Sequence, residues 1–399
     1  MKPCRGLLIS AIALVSFTAC TDRDDGDSVT ASKGDAAVED ASHDVTPAPG
    51  PQLDAGRDAA SDAGSACPAG STLQRTRTTC PGAPLTAPAA LLSALGSAAP
   101  GDVVSLADLP ESAAPCLPVV VCTPADAPTL LFSDSPESPG QDGVLYADTV
   151  NAGRYRLYVY HANGSAAARK FPVVVLNPGA QTAKVTIVRR GLAAPSTAYV
   201  SVGKEVLVDW LADRPAISLL VPPQQRLLLD EALDQLHAGP NELVHAIYDV
   251  VVDRTVKISF VSVLANADAA AATAGLPLLA RDVNHQRGTF PSADVLVALA
   301  RDVPGGALKK GVQRLRLGQG EVDETLVGVD STTGAKQTLL GNYGMRYRFA
   351  LGLPASARAA LSPRGGGWGG VALGSFANDF ELMTGGGSNL PVDLFVASP

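Results

Sequence analysis

Aromatic residues make up only 5% of this 399-residue chain, and residues 21–66 contain none. That stretch holds eleven acidic against three basic residues, and its only large aliphatics are Val29, Val38, Val45 and Leu53. So little apolar surface cannot offset the entropy of ordering a chain, which predicts a disordered tether reaching on the order of 40 Å. The net charge of −8 belongs to this tether, because residues 67–399 carry 26 basic and 28 acidic groups. No basic patch interleaved with aromatics occurs, so nucleic acid is not an expected partner. Local catalytic and metal signatures are missing too: there is no CxxC pair, no HExxH and no GxSxG elbow. Past the N-terminus, no apolar run approaches the roughly 20 residues of a membrane-spanning helix.

What is present begins at the N-terminus. Lys2 and Arg5 precede an uncharged apolar run, Gly6 to Phe17, followed by Phe17-Thr18-Ala19-Cys20. This is the layout of a secretory signal peptide, residues 1–20. Its end resembles the lipobox of bacterial lipoproteins, which implies that Cys20 is diacylated and anchors the chain to a lipid bilayer. Phe17 stands where that pattern has Leu, which leaves ordinary signal-peptide cleavage as the alternative. Thr21 after the cysteine favours the outer membrane or cell surface over retention inside.

Cys67, Cys80, Cys116 and Cys122 remain after the leader. In an exported chain they are expected to form disulfides. Their spacing favours local bridges, Cys67–Cys80 and Cys116–Cys122, with crossed pairings open. They are expected to staple a small cap over residues 67–127. Within it, residues 89–109 read as a short helix, a Pro100-Gly101-Asp102 turn and a strand. This resembles the opening of parallel β-helix proteins such as pectate lyases, but the repeated coils of that architecture are absent downstream.

Thirty prolines and 39 glycines separate many short runs rich in β-branched and aromatic residues. In YRLYVYH (Tyr155–His161), Tyr155, Leu157, Val159 and His161 share one face, and Arg156, Tyr158 and Tyr160 the other. KFPVVVLN, AKVTIVRRG, STAYVSV, VLVDWL, ISLLV, ELVHAIYDVVV and VKISFVSVLA read as further strands, with a short helix within 227–239. An alanine-rich spacer at 265–275 marks a boundary. The expectation is an all-β chain with two consecutive antiparallel β-sandwich domains, 128–268 and 276–399.

SDSPE (133–137), HQRGTF (285–290), GNYG (341–344) and SPRGGGWGG (362–370) resemble segments of uncharacterised secreted or surface proteins of bacteria. Some of those carry names borrowed from copper amine oxidases. The oxidase cofactor arises in a Thr-x-x-Asn-Tyr-Asp/Glu setting. Here Asn342-Tyr343 has Leu339 and Gly344 at the diagnostic positions, and no His-x-His pair occurs, so that chemistry is rejected.

Without a catalytic signature, no catalytic residue, metal or cofactor is assigned. A metal site requires His161, His245 and His285 to meet, with Asp249. A polysaccharide hydrolase requires two carboxylates across a cleft, which leave no linear mark. The best local constellation for ligand binding is His285, Arg287, Tyr343, Arg364 and Trp368: cationic donors beside flat faces on glycine-rich loops. The expected role is therefore non-catalytic binding or structural work in the cell envelope, on polysaccharide or another envelope protein. A secreted polysaccharide hydrolase is the alternative.

Overall fold

A computed structural model describes residues 14–15, 67–78, 86–97, 114–301, 309–317, 325–353, 357–363, 368–374, 379–387 and 392–398. Cys20, the acidic stretch 21–66, Cys80, the Pro100-Gly101-Asp102 turn and Arg364 lie outside the described residues.

Alternation of side chains sets the architecture. In the Gly153–Ala162 strand, Leu157 and Val159 point into one core while Tyr158 and Tyr160 join another. A strand buried on both faces must be covered twice. One cover is a second sheet. The sheet carrying 153–162 has the strand order 217–221, 183–192, 243–252, 153–162, 129–133, 287–290, 327–330 and 335–338. Strands 226–228, 173–176, 256–264 and 143–150 form the facing sheet. Leu131, Leu157, Val185 and Tyr248 of the first meet Leu145, Tyr146, Val175 and Phe260 of the second in one core.

The other cover is the Tyr199–Leu211 helix, which the strand readings STAYVSV and VLVDWL missed. Its buried residues, Val202, Gly203, Val206, Leu207 and Trp210, fall at helical intervals. Local β-branched content outweighed that period in the sequence reading, and packing on Tyr158 and Ile247 reverses the preference. The helix sits very close to the sheet at Gly191. A Cβ there would overlap the Val206 carbonyl oxygen and lie 2.7 Å from Trp210 Cβ. Gly191→Ala is expected to cost about 2 kcal/mol through overpacking. A urea midpoint unchanged from wild type would refute this close approach.

A second sandwich shares the unit. Strands 368–374, 379–387, 346–350, 294–299, 119–124 and 71–77 lie side by side in that order, and 311–317, 392–398 and 358–363 form a smaller sheet. Val121, Val297, Leu315, Tyr347, Phe349 and Val396 belong to the core between them.

The fold is all-β, as expected, but its partition differs from the linear one. Strand Arg287–Phe290 pairs with Thr129–Ser133, so the larger sheet draws on both sides of the alanine-rich spacer. The spacer itself contains a short helix, Ala269–Ala272, capped by Asp268. The region read as a separate cap gives strands 71–77 and 119–124 to the second sandwich. Among the described strands two pairs are parallel, 129–133 with 153–162 and 294–299 with 346–350. The first parallel pair is reached by a crossover through strand 143–150 of the facing sheet, a connection that a hairpin count does not reveal. The disulfide is Cys67–Cys122, which replaces both local pairings, and Cys116 is also disulfide-bonded. Strand pairing brings residue 122 beside 73, so proximity across the sheet outweighs proximity along the chain.

Candidate functional site

Where strand Thr129–Ser133 leaves the sheet, the chain turns through Asp134, Ser135, Pro136 and Glu137. The Asp134 amide donates to the Gln286 carbonyl (3.2 Å), which fastens this turn to the segment before Arg287. Asp282 fastens it further. It accepts from the amides of Glu137 (2.8 Å), Asn284 (2.9 Å) and His285 (2.8 Å), and its own amide donates to Ser135 Oγ (3.1 Å). These donors hold the Asp282 carboxyl below its usual range, although burial alone pushes the other way.

His285 closes the arrangement. Its Nε2 lies 2.7 Å from Glu137 Oε2 and its Nδ1 2.9 Å from Asp282 Oδ1. Both contacts are hydrogen bonds at once only when each ring nitrogen carries a proton. Beside this pair sits Asp134. Burial, with added repulsion from Glu137 and Asp282, raises its pKa well above the ordinary carboxyl value. Its Oδ1 is buried and has no hydrogen-bond partner among the described residues.

Three tyrosines lie within reach of these charges. Tyr160, Tyr199 and Tyr343 are each half-buried. Burial and then the Asp134 charge raise the Tyr343 pKa to about 12. Tyr160 is raised by burial, then by Asp134 and Glu137. Tyr199 is raised by burial, then by Glu137. Tyr160 stacks on Tyr158 at 6.3 Å and meets Tyr199 edge-on at 6.5 Å. The Tyr199 hydroxyl donates to the Asn241 carbonyl (2.9 Å), which orients its ring. The result is a buried carboxyl of raised pKa beside a histidine held between two carboxylates, with three partly exposed phenol rings near enough to feel these charges.

The structure thus brings His285 and Tyr343 to the same acidic centre, but it sends Arg287 elsewhere. Arg287 is 1% exposed. Its guanidinium bonds Asp330 (3.0 Å), the carbonyls of Leu145 (2.6 Å) and Leu279 (2.8 Å), and Thr332 Oγ1 (3.2 Å). Those contacts tie the two sheets of the first sandwich together, so Arg287 is a structural cation and not a ligand donor. Trp368 begins the Trp368–Gly374 strand, and its side chain, like Arg364, lies outside the described residues.

The histidines considered for metal are each committed to other contacts. His161 is fully buried between Ser133 Oγ (2.9 Å) and the Pro136 carbonyl (2.9 Å). His245 is fully buried with Nδ1 on the Val159 carbonyl (2.7 Å), and Asp249 is held by Arg156. Among the described residues no group of three His, Cys, Asp or Glu side chains is placed to hold a metal ion.

Asp134, Glu137, Tyr160, Tyr199 and Asp282 escaped the sequence reading. The segment SDSPE stood out only by resemblance, and its two carboxylates gain meaning only when Asp282 and Tyr343 arrive from loops remote in the chain. Comparison with known proteins adds nothing to this geometry: no family model, no curated protein and no solved structure matches the chain.

Proposed function

We propose that this protein is an exported lipoprotein, anchored through Cys20 in the bacterial cell envelope, that binds a polysaccharide at the Asp134 site. The observation that carries the proposal is that Tyr160, Tyr199 and Tyr343, all partly exposed, lie close enough to Asp134 or Glu137 to be shifted by their charges. A sugar presents an apolar ring face, which packs on a phenol ring, and a rim of hydroxyls, which bond to carboxyl oxygens. The Cys67–Cys122 disulfide supports export, since such bonds persist in oxidising compartments. Envelope polysaccharide is the favoured partner, and no cofactor is part of the proposal.

Polysaccharide hydrolysis is the second reading, and one observation favours it. Burial, then the neighbouring Glu137 and Asp282 carboxylates, push the Asp134 pKa well above the ordinary value, the direction that a general acid needs. The two readings separate in one experiment on the full chain. It is incubated with peptidoglycan, cellulose and chitin, as wild type, Tyr343→Ala and Asp134→Asn. Binding is expected to one of these polymers and to weaken about tenfold in Tyr343→Ala, the loss of roughly 1.4 kcal/mol of ring contact. Release of reducing ends by wild type, abolished in Asp134→Asn, assigns hydrolysis. Absence of binding to all three polymers refutes the saccharide proposal.

A further inference from the structure

A concavity rich in arginine lies where the two sandwiches meet. A cavity of about 350 Å³ is lined by Arg154, Arg189, Arg346 and Arg348 together with Asp126, Asp249 and Asp294. Strand register builds it. Asp249 lies opposite Arg156 on one neighbouring strand and Arg189 on the other. Across the junction, the parallel pair places Asp294 opposite Arg346 and Leu296 opposite Arg348.

Beneath the cavity, fully buried Arg156 occupies two of these carboxylates. Its Nε and Nη2 bond Asp249 at 2.7 and 3.1 Å, and Nη2 lies 2.9 Å from Asp294 Oδ1, an ion pair whose angle falls short of a hydrogen bond. Arg346 holds the other oxygen of Asp294 (Nε, 3.0 Å). Trp210 supports the cluster: the guanidinium carbons of Arg156 and Arg189 lie 4.9 and 4.8 Å from its ring centroid, and that of Arg346 5.8 Å. The negative face of an indole lowers the repulsion among cations held this close.

Arg189 and Arg346 have further partners of their own, so Arg154 and Arg348 are the groups that matter for a ligand. Arg154 is exposed at the rim and makes no ion pair among the described residues. Arg348 reaches Asp126 (3.1 Å), whose side chain is 59% exposed and whose hold is weakened by solvent, and its Nη2 lies 3.8 Å from Asp294 Oδ2, a longer ion pair. Its Nε is buried with no hydrogen-bond partner among the described residues. A buried, unsatisfied guanidinium N–H beside a cavity is costly unless an acceptor enters. Two guanidinium forks at one mouth match the oxygens of a compact anion.

We infer that this arginine-lined cavity is a binding site for a dianionic oxyanion of the phosphate type, with Arg348 and Arg154 as its forks. This goes beyond the saccharide proposal and does not depend on it. The same phosphate chemistry is offered by the free ion and by a phosphorylated sugar, and the size of the cavity admits either.

Calorimetric titration of the full chain at low salt tests it, with inorganic phosphate, glucose 6-phosphate and glucuronate as probes. Saturable one-to-one binding of phosphate or of glucose 6-phosphate is expected, with glucuronate, a monoanion on a related ring, at least tenfold weaker. Tighter binding of glucose 6-phosphate than of phosphate supports the site with a phosphorylated saccharide as its ligand, and the reverse order supports it with the free ion. Arg348→Ala is expected to weaken phosphate at least tenfold. Asp126→Asn, an exposed change that spares the fold, is expected to strengthen it several-fold by removing the nearer of the two carboxylates that Arg348 faces. Wild-type protein that binds neither phosphate probe overturns the inference, as does glucuronate binding as tightly as glucose 6-phosphate. Phosphate affinity unaltered in both Asp126→Asn and Arg348→Ala overturns it equally.

Discussion

Replacing Arg156 with Met is expected to cost about 5 kcal/mol, most of the stability of an ordinary domain. Arg156 is fully buried. Burial works against its charge, but the Asp249 and Asp294 carboxylates outweigh that and hold its pKa above the usual value. Its Nη1 also donates to the carbonyls of Gly344 (2.9 Å) and Ala293 (3.3 Å). One side chain thus joins the larger sheet of the first sandwich to the segments that enter strands 294–299 and 346–350 of the second. Removing it strands Asp294, whose side chain is 1% exposed, with one cation fewer, and leaves Asp249 facing a methionine. Unfolding in urea, followed by far-ultraviolet circular dichroism, measures the loss. Adding Asp249→Asn and Asp294→Asn to Arg156→Met is expected to recover a substantial part of it, because unpaired charge is the larger cost. A triple variant as unstable as the single one would show that packing and carbonyl bonding dominate instead.

Acid is expected to destabilise this protein before its carboxylates of lowered pKa titrate. Burial lowers the pKa of both His161 and His245 to about 4, despite a carbonyl bonded to each ring. Unfolded, each takes a proton near the ordinary value of about 6.5. Between those values the unfolded chain binds more protons than the folded one, so stability falls as pH falls from 6.5 towards 4. From pH 7.5 to 4.5 the loss is roughly 2 to 3 kcal/mol per histidine. Asp134 acts in the opposite sense, since its raised pKa makes the folded state the better proton binder above pH 3.8. One carboxyl against two imidazoles leaves the sign with the histidines. Asp282, Asp294 and Asp330, held below the usual range, contribute stability that is lost only as pH falls past 3.8. Urea unfolding at pH 7.5 and 4.5 in the Asp134→Asn background isolates the histidine contribution. Equal stability at the two pH values would show that both rings accept a proton in the folded state, and a loss of half the expected size that one of them does.

Several of these features were legible in the chain. The alternation in Tyr155–His161 correctly placed Leu157 and Val159 on one face and Arg156 and Tyr158 on the other. Turn residues and β-branched runs marked most strands and hence the all-β class. The same local reading failed at Tyr199–Leu211, where β-branched residues sit in a helix because a buried sheet face needs a cover. His285 and Tyr343 were singled out for their chemistry and do reach one site, but Arg287 from the same motif serves the core.

By itself the sequence determined the periodicities: period-two runs become strands, and a stretch with as few large apolar residues as 21–66 has little to bury. These are properties of neighbouring residues, and neighbouring residues are what a chain displays. Only the tertiary structure decided which strands pair, that Cys67 meets Cys122, and that Asp134, Glu137 and Asp282 share one site with His285. It also decided that an arginine cluster forms around Trp210. Each of those joins residues far apart along the chain, and the energy of a long-range contact depends on burial and strand closure that no local pattern records.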